Sequence, residues 1–177
     1  MTAASLPFPT PAAGFDDPLA MLDACHDRVR RSLELLRRIC ERVEAGRVDA
    51  DVRAAATDVL RYFDIAAPHH HEDEERHVFP AVTNAPEVIA RLHDEHREMS
   101  ALWAELRVPL SALAGGDATA FAAQAIALAA RFRALYEQHA KTEEDLIFPA
   151  AAAELDAGAL RRIGDEMATR RGATRFS

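Results

Sequence analysis

An eleven-residue pattern occurs twice in this chain and restricts its possible folds more than any other feature. The first copy is HHEDEERHVFP, residues 70–80, and the second is HAKTEEDLIFP, residues 139–149. Both copies read His, three residues, Glu-Glu, three residues, Phe-Pro. Residues four positions apart lie on one face of an α-helix. The repeat therefore predicts two similar helices, each with a histidine and a glutamate on the same side.

A second repeat precedes each copy and has the heptad spacing of a helix that packs in a bundle. Each of its two sets is apolar except at one position, which is His26 in the first set and His96 in the second. The chain is therefore a duplicated helix pair. The two sets are Leu19, Leu22, His26, Val29, Leu33, Leu36, Cys40, Val43 and Ile89, Leu92, His96, Met99, Trp103, Leu106, Leu110, Leu113.

These repeats predict an all-α fold, an up-down-up-down four-helix bundle with a short C-terminal fifth helix. The connections are short, so consecutive helices should be antiparallel neighbours. We expect the proline-rich residues 1–15 to be a flexible tail and residues 16–177 to form the bundle domain. The predicted helices cover about 17–45, 49–82, 86–116, a segment from just after Asp117 to about 154, and 157–172.

Four prolines fall inside these helices or near their ends. A proline removes one backbone donor and should kink or stop its helix. The sequence does not indicate which of the two happens at each position. The prolines are Pro68, Pro80, Pro109 and Pro149.

Charge and cysteine content exclude several classes of protein. The formal net charge of −8 leaves no basic stripe for nucleic acid. No apolar run approaches the ~20 residues that span a bilayer. No Lys or Arg precedes Arg28, so the charged start of a secretory signal is missing. Cys25 and Cys40 lie on one predicted helix, ~22 Å apart, and cannot bridge each other. We therefore predict a cytoplasmic protein.

Distances counted from the turns place four histidines and two glutamates at one height in the bundle. At ~1.5 Å per residue, their offsets agree to within about one helical turn. Carboxylates buried together without a counter-charge would be very costly. A cation should therefore hold them, and imidazole with carboxylate suits iron, manganese or zinc better than calcium or magnesium. We predict a dinuclear metal site; the alternative is a hydrogen-bonded polar layer without metal.

The doubled HxxxEExxxFP motif, with one histidine on each intervening helix, resembles the hemerythrin-like (HHE cation-binding) family over about residues 16–155. The resemblance implies two iron ions in an oxo- or hydroxo-bridged di-iron centre, with manganese or zinc as other possible metals. It also implies that the two glutamates bridge the metals. Carried over by position, the metal ligands are His26, His70, Glu74, His96, His139 and Glu143.

Leu92 departs from the pattern of invertebrate hemerythrins, which have a further ligand histidine one turn before His96. Four histidines and two glutamates are closer to the bacterial di-iron proteins associated with repair of nitrosatively damaged iron–sulfur sites. The cysteine-bearing N-terminal domain of those proteins has no counterpart in this sequence. With this ligand set each metal should keep one open position for a small diatomic molecule or a peroxide.

The other histidines near the motifs have less support as ligands. His93 is either an extra ligand or, as we favour, a flanking surface residue. His77 has Leu146 as its counterpart, which favours ordinary packing. His69 and His71 are rotated ~100° to either side of His70 and should be solvated.

Glu75 and Glu144 also recur in both motif copies, one residue after the predicted bridging glutamates. They either hydrogen-bond to ligand histidines or are plain surface charges, and the sequence leaves both alternatives open. The aromatic residues Trp103, Phe63 and Phe132 either line a dry pocket above the metals or belong to the apolar core.

The leading hypothesis is a non-haem di-iron protein that binds or senses O₂ or a related small oxidant. A second hypothesis is an enzyme or repair factor that acts on peroxide or nitric oxide, or delivers iron to damaged iron–sulfur sites. A third is iron handling without redox chemistry. The sequence offers no separate catalytic or cofactor-binding residues beyond the metal layer, which favours a protein that is not a dedicated enzyme. It indicates no protein partner.

Overall fold

The computed structural model describes residues 14–172, which form five helices without any strand in that range. The predicted all-α bundle and its C-terminal helix are confirmed. The predicted N-terminal tail lies almost wholly outside the described residues. The helices are α1 (Pro18–Glu44), α2 (residues 50–81), α3 (Pro86–Gly115), α4 (residues 123–154) and α5 (Ala157–Arg170).

Aspartates cap the starts of three helices. The side chains of Asp17, Asp49 and Asp156 each accept a hydrogen bond from a backbone N–H in the first turn of α1, α2 and α5. Such caps satisfy donors that have no partner inside the helix. Gly116 follows the end of α3 with φ of 85°, a left-handed conformation that favours glycine. The boundaries of α1 and α3 are therefore close to those predicted from these same residues.

Helix α4 begins later than predicted. It starts at Ala123 and not directly after Asp117. The backbone N–H groups of Asp117 and Ala118 both donate to the carbonyl of Ala112, at 2.8 and 3.1 Å, and so close the end of α3. Phe121 then packs against the apolar core from the connection itself. The backbone is extended at Ala122, directly before the helix begins.

Three of the four prolines follow π-helical segments. Helix α2 runs through α-helical Ala50–Arg61, π-helical Tyr62–Ala66, α-helical Ala67–Asp73, π-helical Glu74–Val78 and the 3₁₀ turn Phe79–Ala81. Helix α4 runs through Ala123–Thr142, π-helical Glu143–Ile147 and Phe148–Glu154. Pro68, Pro80 and Pro149 each come just after a π segment, whose wider turn accommodates the missing donor. Pro109 lies inside α3, which continues past it.

The four long helices form a ring in which α1 and α3 each pack against both α2 and α4. Apolar side chains form two separate clusters in this ring. The lower core includes Leu36, Phe63, Leu106 and Phe132. The upper core includes Leu22, Phe79, Leu92, Ile147 and Met167. Helix α5 covers the upper core with Ile163 and Met167.

No helix within residues 14–172 combines the length and the apolar character needed to cross a membrane.

Candidate metal centre

A polar layer lies between the two cores and contains all six residues that the sequence predicts as ligands. Helices α1 and α3 each contribute one histidine, and helices α2 and α4 each contribute one histidine and one glutamate. Every one of the six side chains is buried, with at most 3 % of the residue exposed. The residues fall into two sets that share both glutamates, and within each set the candidate ligand atoms lie within 4.8 Å of one another. The sets are His26, His70, Glu74, Glu143 and Glu74, His96, His139, Glu143.

Each glutamate directs one oxygen toward each set. Glu74 Oε1 lies 3.0 Å from His70 Nε2, whereas Oε2 faces His96 Nε2 at 3.6 Å. Glu143 Oε2 lies 3.2 Å from His26 Nε2, whereas Oε1 lies 3.1 Å from His139 Nε2. Two ligand atoms about 2.1 Å from a common ion and at right angles to each other are about 3.0 Å apart. These spacings therefore suit an ion in each set, with both carboxylates shared.

Several polar atoms in the layer have no hydrogen-bond partner in the described part of the chain. They include both carboxylate oxygens of Glu74, both of Glu143 and Nε2 of His26. Buried polar atoms are normally paired, and a buried carboxylate without a partner is costly. These five atoms all lie on the inner side of the layer, where they face one another. The carboxylate oxygens and imidazole nitrogens of the layer therefore fit a bound cation.

Protons take the place of that positive charge in the metal-free protein. Burial, together with repulsion from Glu143, raises the pKa of Glu74 well above its ordinary value. Burial opposes the ionisation of Glu143 too, but the close imidazoles of His139 and His26 outweigh it and hold the pKa of Glu143 below its ordinary value. One carboxyl is therefore kept neutral beside one carboxylate.

The histidines of the second set differ in the same way. Burial would lower the pKa of His139, but the close carboxylate of Glu143 and the hydrogen bond to Glu95 raise it to about 10. Burial and the neighbouring His139 lower the pKa of His96 to about 4. A metal ion in this set must displace the proton of His139.

Three of the four histidines pair their outer nitrogen with a carboxylate. Nδ1 of His26 lies 2.9 Å from Glu144, that of His96 lies 2.7 Å from Glu75, and that of His139 lies 2.8 Å from Glu95. An ionised carboxylate only accepts, so Nδ1 carries a hydrogen and Nε2 faces the layer as the atom available to a metal ion. Of the two alternatives for Glu75 and Glu144, the structure favours hydrogen bonding to these histidines.

Glu95 was missed by sequence reasoning. Only 8 % of the residue is exposed, yet it lies on a helix rich in charged residues and belongs to neither motif copy. Its position directly before His96 is the one available signal. Sequence spacing gives no reason why Glu95 should reach His139 of the neighbouring helix.

The Phe-Pro ending of the motif also acquires a physical role. Glu74 and Glu143 are the first residues of π segments, and their carbonyls accept from the backbone N–H of Phe79 and Phe148. The ring of Phe148 stacks on His26 and that of Phe79 stacks on His96, with ring centroids 5.4 and 5.5 Å apart. Each motif phenylalanine therefore covers a histidine of the layer from the upper side.

The sequence predicts a solvated His71, and this prediction is wrong. Its ring stacks on His96, with centroids 4.0 Å apart, and its Nε2 is hydrogen-bonded to the hydroxyl of Tyr136 at 3.3 Å. His71, His96 and Trp103 line an open cleft of about 430 Å³ between α2 and α3. Burial lowers the pKa of His71 well below its ordinary value, so the imidazole is neutral. Trp103 therefore borders this cleft, whereas Phe63 and Phe132 belong to the lower core.

The remaining histidines of the motif region lie away from the layer. His77 is bonded to Glu166 of α5, with 2.7 Å between Nε2 and Oε2. The half-exposed His93 lies 3.5 Å from Glu75, as expected of a flanking surface residue. Half-exposed His69 fits its predicted solvated position.

Asp73, which sequence reasoning did not single out, anchors α5 beside the layer. It is fully buried and precedes Glu74 in the chain. Its two carboxylate oxygens bond to Arg170 and Arg171 at the end of α5. Two guanidinium groups compensate the buried charge. This contact ties the C-terminal helix to the turn of α2 that carries Glu74.

The fold and the layer define a class: a four-helix bundle with a buried histidine–carboxylate site for cations. Residues 17–151 match the hemerythrin HHE cation-binding domain. The chain belongs to this family, and its buried cluster makes it a metal-binding protein. It is also 31 % identical over 167 residues to a protein of Haemophilus influenzae described as uncharacterized, a match that covers 92 % of this chain and 95 % of that protein.

Proposed function

We propose that the chain is a non-haem di-iron protein that binds or senses O₂ or a related small oxidant. The observation that carries the proposal is the orientation of Glu74 and Glu143, each with one oxygen toward each set of histidines. A single ion would not require both carboxylates to divide their oxygens in this way. We assign the six residues of the layer as ligands of two ions.

Iron is the proposed metal. Each set offers it two imidazole nitrogens and two carboxylate oxygens. This mixture suits iron, manganese and zinc, and carboxylates bridge two irons in other helical bundles. When bound, a pair of iron ions supplies open coordination positions and electrons for chemistry with a small oxidant.

The protein residues around the layer orient the ligands and keep water out. Glu144, Glu75 and Glu95 fix three imidazole rings through Nδ1. The two apolar cores seal the layer from below and above. A dry, pre-oriented site favours reversible binding because it limits proton access and side reactions.

The cleft between α2 and α3 supports a small exogenous ligand as the binding partner. Its lining includes His96, a proposed ligand, and His71, whose ring stacks on it. A large substrate would have to displace both stacked rings before it could reach the layer. The proposal therefore concerns a diatomic molecule or a peroxide.

A cytoplasmic location is part of the proposal. Cys25 and Cys40 are both free and buried. Reduced cysteines are typical of a reducing compartment.

The experiment is anaerobic loading with Fe(II), followed by elemental analysis and an optical titration with azide and with O₂. We expect about two irons per chain and a new absorption band on addition of azide. One iron or none after loading would refute the dinuclear centre. A spectrum that returns on removal of O₂ would support binding or sensing, whereas continuous consumption of peroxide or nitric oxide would favour the enzyme hypothesis instead.

A further inference from the structure

The four histidines of the layer do not have equivalent surroundings. Carboxylates occupy the outer nitrogens of His26, His96 and His139. Nδ1 of His70 is buried and has no hydrogen-bond partner in the described part of the chain. The half of the centre formed by His26 and His70 thus has one outer carboxylate, whereas the half formed by His96 and His139 has two.

The internal duplication identifies the residue that occupies the fourth outer position. His26 is the counterpart of His96, so Cys25 is the counterpart of Glu95. Glu95 contacts His139, and the counterpart of His139 in the first motif copy is His70. The duplication therefore pairs Cys25 with His70.

Cys25 is buried on α1, with 8 % of the residue exposed. It offers no carboxylate oxygen to His70, whose Nδ1 stays without a hydrogen-bond partner among the described residues. A thiol therefore stands where the duplicated half of the bundle has a carboxylate.

We propose that Cys25 occupies the position where the duplication would place an outer carboxylate for His70, and that the lack of this carboxylate makes the half with His26 and His70 the weaker of the two metal sites. The proposal rests on the dinuclear centre proposed above. Sulfur is a weak hydrogen-bond acceptor, whereas a carboxylate accepts strongly and increases the basicity of the imidazole. Loss of such an outer partner typically costs about 10–100-fold in metal affinity. Both halves share Glu74 and Glu143, so the outer partners are what distinguishes them.

The chain offers a reciprocal pair of substitutions. Cys25→Glu gives the first half the carboxylate of the second, and Glu95→Cys gives the second half the thiol of the first. A carboxylate at position 25 has counter-charges, because Arg28 and Arg171 are close enough to lower the pKa of the present thiol. Cys40→Ser is the matched control, since Cys40 is also buried but belongs to the lower core.

The test is the release of metal to an excess of a chromogenic chelator from protein loaded with two Fe(II) ions. The wild type and Cys40→Ser should release their ions in two phases whose rates differ at least about tenfold. Glu95→Cys should accelerate the slow phase until the two phases merge. Cys25→Glu should slow the fast phase, with the same convergence.

Mössbauer spectra of ⁵⁷Fe-loaded protein give a second readout. They should show two unequal iron environments in the wild type and more similar environments in the variants. Two ions released at one rate from the wild type would overturn this inference and leave the dinuclear centre intact. An unchanged slow phase in Glu95→Cys would overturn it as well, even if Cys25→Glu fails to fold. A wild type that holds fewer than two ions would overturn the proposed function together with the inference.

Discussion

Glu144 of α4 reaches across the bundle to His26 of α1, with 2.9 Å between Oε1 and Nδ1. Arg30 donates to both oxygens of the same carboxylate, at 2.6 and 2.7 Å. The guanidinium group holds Glu144 in place, and Glu144 in turn orients the imidazole of His26. This chain of contacts links a surface arginine to a proposed metal ligand.

Replacement of Glu144 should weaken metal binding without removing a ligand. Glu144→Ala leaves His26 free to rotate and less basic, and we expect metal affinity to fall about 10–100-fold. Competition with a chelator of known affinity measures this change. Asp145→Ala is the control, because Asp145 is exposed and bonds to Lys141 on the surface. Equal losses in both variants would show that the effect is not due to the contact with His26.

Replacement of Glu74 should remove metal but leave the metal-free fold intact. The pKa of Glu74 is raised by burial, so the metal-free protein holds it as a neutral acid, which glutamine resembles in shape and charge. Glu74→Gln should therefore keep the melting temperature of the chelator-treated protein and lose at least one metal. Calorimetry with and without iron, combined with elemental analysis, tests both parts.

Glu72→Gln provides the comparison for that variant. Glu72 lies on the same helix but is partly exposed and bonds to Arg76 and Arg170. It should keep both metals. If Glu72→Gln lost metal and Glu74→Gln did not, the assignment of the bridging residue would be wrong.

The metal-free protein should lose stability with rising pH. The pKa of His139 is about 10 in the fold, against an ordinary value of 6.5. A raised pKa contributes stability that is complete below the unfolded value and is lost as the pH rises through the folded value. The melting temperature of chelator-treated protein should therefore fall between pH 6.5 and pH 10.

Metal affinity should change in the opposite direction over the same range. A metal ion can bind His139 only after its proton has left, so affinity should rise up to about tenfold per pH unit while one proton is released. Metal titrations at several pH values measure this linkage. His139→Gln is the control for the change in stability of the metal-free protein. A melting temperature that rises with pH in the metal-free wild type would contradict the assigned direction.

His71 should control the entry of small ligands. The ring covers His96 from the cleft and is held by Tyr136. His71→Ala removes this cover, so azide should associate several-fold faster with the iron-loaded protein while the metal content stays the same. Stopped-flow mixing measures the rate. His69→Ala, which changes a half-exposed histidine of the same helix, should leave the rate unchanged.

Leu92 should determine whether the second metal keeps an open position. It is fully buried in the upper core, one turn before His96. A histidine four positions earlier on a helix lies on the same face, so Leu92→His should add a ligand and slow azide binding and autoxidation. Leu22→His makes the equivalent change at the other metal, because Leu22 is the counterpart of Leu92. Variants that are only less stable, with azide binding as before, would show that neither position faces a metal.

The sequence alone determined the helical bundle and the height of the polar layer. Heptad spacing identified His26 and His96 as the only exceptions in apolar seams, and the four-residue spacing of His70 and Glu74 placed both on one face. A constant rise per residue then converts positions in the chain into heights along the bundle. These inferences need only the geometry of single helices and short connections.

The tertiary structure decided which side chains surround the ligands. Glu95 reaches His139, and His71 covers His96, because of how far neighbouring helices are rotated about their own axes. Sequence periodicity does not fix that rotation to within one side chain. The π segments that begin at Glu74 and Glu143 add a local change of register, which directs the motif phenylalanines onto the seam histidines. Contacts between helices depend on relative rotation and register, and these are settled only when all the helices pack together.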